Sequence, residues 1–348
     1  VAIAFITRDY NGRFPNITPG GCSYYRCLLP MSVSGHKARM GMPAWDAKQG
    51  YGVRETETTG VFGFSTVVLK LIMDRWAPKQ IELAKALGQR IIVDIDDYHD
   101  ALTPDNIAYH QTHPDNNKIV NRDNYRQVIA AADTIVVSTP YLHELYKEQH
   151  PDVRMVRNGV NMLQFDKKKH TTAKPVIGWT GGTNYRNGDL EQLTAWLPEF
   201  LEEHDLIFHH AGHDPHAPSF ADVVGLPTHR VTTSPLTPIE HYALGLERFD
   251  IGIVPLSDIP FNHAKSNIKG LEYAAANIPF VASPLPEYAL LNTYGVGALA
   301  DTPDVWRSHM TALLDYTYRK KAAARARTVV AKEWSIEARA AEWKEVFA

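Results

Sequence analysis

Phe261–Ser283, FNHAKSNIKGLEYAAANIPFVAS, is the stretch whose reading decides the fold. It follows a short apolar run, DIGIVPL at Asp250–Leu256, which reads as a buried strand closed by Pro255. Helical spacing then runs from about Ser266 to Ala276, and Asn277 with Pro279 ends it before Phe280–Ala282 begins a second strand. That is one strand, loop, helix, strand unit of a parallel sheet. In such a unit the loop and helix start sit at the carboxyl edge of the sheet, where backbone N–H groups and the helix dipole favour an anion. A diphosphate suits that place, with Lys265 as the positive charge beside it. The same pattern alone also describes an ordinary amphipathic helix of a doubly wound fold, so the rest of the chain has to decide.

The chain has 348 residues and a hydrophobic content of 44%, enough for two sizeable cores. Two Rossmann-like halves of roughly 150 to 180 residues each would use that length. Its 36 basic and 39 acidic residues leave a net charge of -3, so no global field draws it to nucleic acid or anionic lipid. Cys22 and Cys27 form no CxxC pair, which argues against a disulfide scaffold or zinc knuckle and fits a reducing, cytoplasmic setting. The apolar runs are strand-sized, and Val1–Ile6 is too short and lacks the basic flank of a signal peptide, so no membrane span is expected.

In the first half, Val1–Thr7 reads as a buried strand followed by a turn-rich loop, NGRFPNITPGG, and a helix from about Ser23. Gly20 and Gly21, just ahead of that helix, would let a ligand approach the backbone closely. Arg26 reads either as a group facing a phosphate or acidic acceptor, or as a helix-surface charge. In RIIVDIDD, Arg90–Asp97, a buried strand ends in Asp94, Asp96 and Asp97. Three carboxylates in four residues repel one another and need a metal, hydrogen bonds or raised pKa values for relief. Asp96, Asp97 and His99 are candidates for proton handling at the strand end, where α/β folds place their sites, against a reading as loop-capping residues before Thr103–Pro104. Asn106–Asn124 is polar and aperiodic, an acceptor loop or lid. Helices at Tyr125–Ala132 and Tyr141–Gln149 and strands at Asp133–Ser138 and Val153–Val156 lead to Asn158–Gly159, where Gly159 supplies the positive φ of a hinge. Asp166–Lys174 reads as a solvated linker.

In the second half, the strand PVIGW at Pro175–Trp179 runs into TGGTNYRNGDLEQL, a glycine-rich turn with a helix expected from about Asp189. Gly181 and Gly182 would bring backbone N–H groups against the phosphates of a diphosphate, and Arg186 would supply charge opposite Lys265. Two fixed cations plus helix N-termini can do for a diphosphate leaving group what Mg2+ does elsewhere. Leu206–His210 is a further strand, ending in HHAGHDPH. His209, His210, His213 and His216 do not read as a metal site, because adjacent strand residues point to opposite faces and no His-x3-His helix is present. His229–Ser234 is the next strand and Pro238–Leu246 a helix. Asp304–Leu314, Lys320–Ala331 and Ser335–Phe347 read as amphipathic helices, the last with Trp343 on its apolar face.

These residues carry a resemblance. The run fDIGIVPL…FN…KS…K.LEYAA..IPFVAS is similar to the donor-binding segment of GT-B glycosyltransferases, most closely the retaining family 4-like group, and AADTIVVSTPYL…VRNGVN resembles the end of their first domain. The Gly20–Gly21 loop with Tyr24, Tyr25 and Arg26 resembles the acceptor-side loop of the same enzymes. The resemblance implies α/β, GT-B architecture: two Rossmann-like doubly wound parallel-sheet domains facing a cleft, residues 1–165 on the acceptor side and 172–330 binding donor, with 331–348 as a terminal helix crossing back to the first domain. It implies a retaining, metal-independent transfer of a hexosyl or pentosyl group from a nucleotide-diphosphate sugar, such as a UDP or GDP sugar, with no tightly bound cofactor. The acceptor would be any hydroxyl bearer: protein, glycan, small molecule or modified nucleobase. By position Lys265 would grip the diphosphate and Glu272 the ribose hydroxyls, with Asn262 and Ser266 beside them and Thr233–Ser234 near the base. Gly20, Gly21, Tyr25 and Arg26 would meet the acceptor, and Asp96, Asp97, His99, Arg186 and Lys265 would act in catalysis. One position departs: the family's sugar-contacting glutamate, eight residues before the ribose one, is Ala264 here, leaving Asn262, His263 and main-chain groups as substitutes. Two other functions share this pattern, a nucleotide-sugar 2-epimerase and a non-catalytic nucleotide-sugar binding module.

Overall fold

The computed structural model describes residues 1–7, 9–11, 18–41, 63–70, 77–106, 108–116, 122–166, 174–185 and 188–348. Arg186 and most of the expected linker, 167–173, lie outside the described residues, as does part of the polar stretch Asn106–Asn124. The chain divides into two compact units. The first comprises Val1–Gly159, Ala264–Ser266 and Arg339–Ala348; the second comprises Val160–His263 and Asn267–Ala338. Although the division falls at Gly159, that residue does not adopt the positive φ expected of it.

In the first unit, β1 (Ala2–Ile6) is followed by a small antiparallel pair, β2 (Tyr10–Asn11) with β3 (Thr18–Pro19), then β4 (Lys37–Gly41), β5 (Thr66–Lys70), β6 (Arg90–Ile95), β7 (Thr134–Val137) and β8 (Val153–Met155). The main sheet is parallel in the order β4-β1-β5-β6-β7-β8. It changes direction between β1 and β5, so a crevice opens beyond the carboxyl ends of those strands. Continuous apolar runs mark strands buried on both faces: Ile91, Ile92, Val93, Ile135, Val136 and Val137 are fully buried. The C-terminal helix, Ala340–Phe347, belongs to this unit, with Phe347 edge-on to Phe5 at 5.6 Å.

In the second unit β9 (Val176–Thr180), β10 (Ile207–His213), β11 (Val231–Pro235), β12 (Ile251–Val254), β13 (Phe280–Ala282) and β14 (Ala298–Leu299) form a parallel sheet in the order β11-β10-β9-β12-β13-β14. This is the Rossmann order, with its switch point between β9 and β12. The helix read from Ser266 spans Ile268–Ala275. Its end is set by Asn277 at φ 59, whose N–H donates to Ala274 O while Ile278 N–H donates to Tyr273 O. That left-handed cap, with Pro279 beyond, stops the helix, and four residues, 276–279, separate it from β13. The helix expected from Asp189 does not form: short 3-10 turns occupy Thr183–Tyr185 and Glu191–Leu193, and an α-helix begins only at Leu197, where Pro198 stands in the first turn. Among the described residues no helix is long and apolar enough to cross a membrane.

Candidate functional site

At the carboxyl edge of the first sheet, β5 and β6 deliver Lys70, Asp94 and Asp96 to one place. Lys70 Nζ lies 2.5 Å from Asp96 Oδ1 and 3.9 Å from Asp94. Burial pushes the Asp96 carboxyl upward, but the Lys70 charge and hydrogen bond outweigh it and hold Asp96 below the usual carboxylate range. Burial acts on Lys70 in the opposite sense and is likewise outweighed, by Asp96 and Asp94, so its ammonium stays charged. The repulsion expected from the DIDD cluster is therefore relieved by cations of the chain itself. Cys22 Sγ and carboxylate oxygens of Asp96 and Asp97 lie within 4.8 Å of one another. Burial raises the Cys22 thiol pKa well above normal, and the Asp96 charge adds to that, which keeps a proton on the sulfur. His99, in a 3-10 turn at His99–Ala101, is pushed down by burial against the opposing pull of Asp97. Its Nδ1 is buried and has no hydrogen-bond partner among the described residues.

Lys265 joins this cluster. The segment Ala264–Ser266 packs with the first unit: Thr139 Oγ1 donates to Ala264 O at 3.0 Å, Asn158 Nδ2 donates to Ser266 Oγ at 2.8 Å, and Lys265 Nζ stands 3.5 Å from Asp97 Oδ1. Ala264, the position that departs from the pattern the resemblance implies, is fully buried in the core that contains Ile6, Leu69 and Ile95.

The glycine loop does something different from expectation. A Cβ on Gly20 would come within 1.9 Å of Asp9 Oδ1, while around Gly21 there is open space. The close approach at Gly20 is thus to Asp9, whose Oδ2 accepts from Ser23 N–H at 2.7 Å and whose carboxyl is raised by burial. Tyr25 is buried. Arg26 is fully buried and committed to the interior: Nε and Nη2 hold Asp94, with Nη2 at 2.6 Å from Oδ2, while Nη1 donates to Val156 O at 2.7 Å and Asn158 Oδ1 at 3.1 Å. Its guanidinium also lies 4.8 Å from the Trp343 ring centroid. The helix that carries it widens to a π-turn at Tyr24–Leu28, because Pro30 has no N–H to give Arg26 O. Neither reading offered for Arg26, ligand contact or surface charge, describes this placement.

In the second unit, β9 ends at Thr180–Gly181. Gly181 has φ 139 and packs against Gly212, where a Cβ would sit 3.2 Å from Gly181 O. Gly181 N–H donates to Ala211 O at 2.9 Å and Gly181 O accepts from His210 Nε2 at 2.8 Å, so that amide is spent within the sheet. Lys269 reaches back from its helix to Thr180 O and over Trp179, 5.4 Å from the ring centroid. Glu272 is 5% exposed, and Tyr242 OH donates to its Oε2 at 2.6 Å. Burial and the Glu272 charge raise the Tyr242 phenol well above normal, so the proton stays on the tyrosine. Asn262 Nδ2 donates to Asp189 Oδ1 at 2.7 Å and to Ser257 O at 3.0 Å, bracing the loop after β12. Thr233 and Ser234 lie within β11, and Ser234 Oγ pairs with His209 Nε2 at 3.1 Å. Lys70, Asp9 and Tyr242, which pair with Asp96, Ser23 and Glu272, are not singled out by the sequence. Tyr242 lies inside the helix that the pattern of Pro238–Leu246 predicts, and Lys70 is the last residue of β5.

No protein-family model matches the chain. Among curated proteins it is 30% identical over 176 residues to a putative teichuronic acid biosynthesis glycosyltransferase, TuaH, of Bacillus subtilis (strain 168), a match covering 46% of this chain and 42% of the relative. The chain thus matches less than half the length of that protein. Among solved structures it is similar to sucrose-phosphate synthase of Thermosynechococcus elongatus, with a TM-score of 0.66, 15% identity, and 99% and 98% of the two chains covered. Anabaena HepE, solved in complex with UDP, gives a TM-score of 0.66 at 12% identity, with 100% and 99% covered. A glycosyltransferase of Rickettsia africae gives 0.66 at 11%, with 99% and 98% covered. At these identities the likeness is one of fold, and the chain has the two-domain GT-B architecture.

Proposed function

We propose that the protein is a glycosyltransferase that moves a sugar from a nucleotide-diphosphate sugar to an acceptor hydroxyl, with retention and without a metal ion. The observation that carries this reading is Glu272: a carboxylate buried in the second unit, one helical turn inside the helix that follows the switch-point loop, and oriented by Tyr242. A buried carboxylate there is suited to accept hydrogen bonds from a pair of vicinal hydroxyls, as on a ribose, each such charged bond being worth about 1.5 to 3 kcal/mol. The partial relative is a glycosyltransferase by name, and HepE has been solved with UDP and with UDP-glucose, which supports a nucleotide-sugar donor here. Lys265 supplies the cation for the diphosphate, and its neighbour Asp97 holds the ammonium until donor arrives. With Arg26, Lys70 and Lys265 already facing Asp94, Asp96 and Asp97, three cations stand against three carboxylates, which supports a metal-free reaction. His99, kept neutral by burial, takes the acceptor proton as the new bond forms. Arg186 remains part of this proposal as a second cation.

Calorimetric titration with UDP-glucose tests it. Wild type is expected to bind, Glu272→Gln to bind about tenfold or more weakly, and Tyr242→Phe to fall between them. Equal affinity for wild type and Glu272→Gln removes Glu272 from the donor site. A second reading, a binding module without catalysis, is favoured by the burial of Ala264, the position where the resemblance implies a sugar-contacting glutamate. Release of free glucose from UDP-glucose by wild type, lost in His99→Ala and Lys265→Ala, counts against it.

A further inference from the structure

The opposite edge of the second sheet holds a cavity that the proposed reaction does not use. It has a volume of ≈340 Å³ and lies at the amino ends of β13 and β14, where Phe280 and Ala298 begin those strands. Helices Pro303–Leu314 and Tyr316–Glu333 contribute His309, Leu313, Tyr318, Lys321 and Arg325 to its wall. Tyr318, Lys321 and Arg325 recur at helical spacing, so one face of the second helix presents all three. Among the described residues no acidic one lines the cavity, and neither Lys321 nor Arg325 takes part in an ion pair. The helix itself carries Arg319, Lys320, Lys321, Arg325, Arg327 and Lys332, and its one acidic residue is the last, Glu333.

The guanidinium of Arg325 has a built resting place. Gly295 has φ +73, and a Cβ there would meet Arg325 Nη2 at 2.2 Å. Gly295 N–H is held by Asn292 O at 2.8 Å, and Asn292 Nδ2 donates to Gly297 O at 2.9 Å, which fixes the loop under the arginine. A planar fork and a mobile ammonium one helical turn apart, over a floor of Phe280 and Leu313, match a phosphate attached to an apolar or aromatic body.

We propose that this cavity is a second ligand site, binding a small phosphorylated molecule with its phosphate between Lys321 and Arg325 and its apolar part against Phe280, Leu313 and Tyr318. It is independent of the donor site proposed above. The test uses full-length protein with phenyl phosphate and inorganic phosphate as probes, followed by 31P line broadening. Phenyl phosphate is expected to bind about tenfold or more tightly than inorganic phosphate, since the ring adds buried apolar area. Lys321→Ala/Arg325→Ala is expected to lose at least about tenfold in phenyl phosphate affinity, with an unchanged thermal melt because both side chains are exposed. Lys265→Ala and Glu272→Gln are expected to bind the probe like wild type, and UDP at saturation not to displace it. Undiminished binding by the double variant, or competitive displacement by UDP, overturns the proposal, whereas failure of UDP-glucose to bind at all bears only on the donor site.

Discussion

Replacing Arg26 by Met separates a structural role from a role in binding substrate. In the wild type Asp94 is fully buried and faces the guanidinium at 2.6 Å, while Lys70 stands farther off at 3.9 Å. Methionine fills much of the same volume but leaves the Asp94 carboxylate short of its nearest counter-charge and Val156 O and Asn158 Oδ1 short of a donor. Removing one partner of a buried pair costs about 3 to 5 kcal/mol. Lys70 remains to share the Asp94 charge, which sets the expected loss near the lower end, about 3 kcal/mol, or a factor of about 150 in the folding equilibrium. Urea unfolding followed by circular dichroism reads this as a lower midpoint for the first unit. The double variant Arg26→Met/Asp94→Leu removes both charges, and it is expected to recover most of the loss because neither partner is left buried alone. UDP-glucose affinity should not change, since Arg26 has no exposed surface to offer a ligand. An Arg26→Met variant that unfolds with wild-type midpoint but no longer turns over substrate would refute this reasoning and return Arg26 to the acceptor site.

Two further outcomes follow from the second unit. His209 is 1% exposed between Thr232 Oγ1 and Ser234 Oγ, and burial, aided by the charge of Arg248, lowers its pKa to about 4. The unfolded histidine, near 6.5, takes a proton first, so stability falls as pH drops from about 6.5 to 4, by on the order of 3 kcal/mol. His209→Asn should flatten that part of a plot of urea midpoint against pH, and a slope identical to wild type would assign the acid sensitivity elsewhere. Asn262→Leu leaves buried Asp189 without one of the two hydrogen-bond donors it has among the described residues, at an expected cost of about 1 to 3 kcal/mol. A thermal melt unchanged from wild type would show that Asn262 is not a loop brace and reopen it as a sugar contact.

The parts of the fold legible in the sequence are those where burial on both faces forces a continuous apolar run. RIIV, TIVV and DIGIV announce themselves in this way, and Asn277 with Pro279 announces the end of the helix between β12 and β13. KARMG at β4 does not, because it is a half-exposed edge strand with no apolar run, and the two residues of β14 are too few to carry a period. The site was legible as a set of residue types at strand ends and illegible as a set of pairs. Arg26 and Asp94 are 68 residues apart, Lys70 and Asp96 are 26 apart, and Tyr242 and Glu272 are 30 apart. Nothing local to Arg26 distinguishes a surface arginine from one that neutralises a buried carboxylate, since the difference lies wholly in what the sheet brings beside it.

That pairing also ranks the groups available for proton transfer. Asp96 is held ionised below the normal range by Lys70, so it gives up hydrogen-bond energy with the lysine whenever it accepts a proton, and it is a poor base. Cys22 keeps its proton, because burial and the Asp96 charge oppose a thiolate. Asp9 is raised by burial but accepts from Ser23 N–H, and a proton there would disturb the turn into the Gly21–Ser23 helix. His99 differs from all three: it is neutral near pH 7, its Nδ1 has no competing donor among the described residues, and Asp97 offsets part of the burial penalty on an imidazolium. Protonating His99 therefore costs the fewest existing interactions, which is the property a general base at this sheet edge requires.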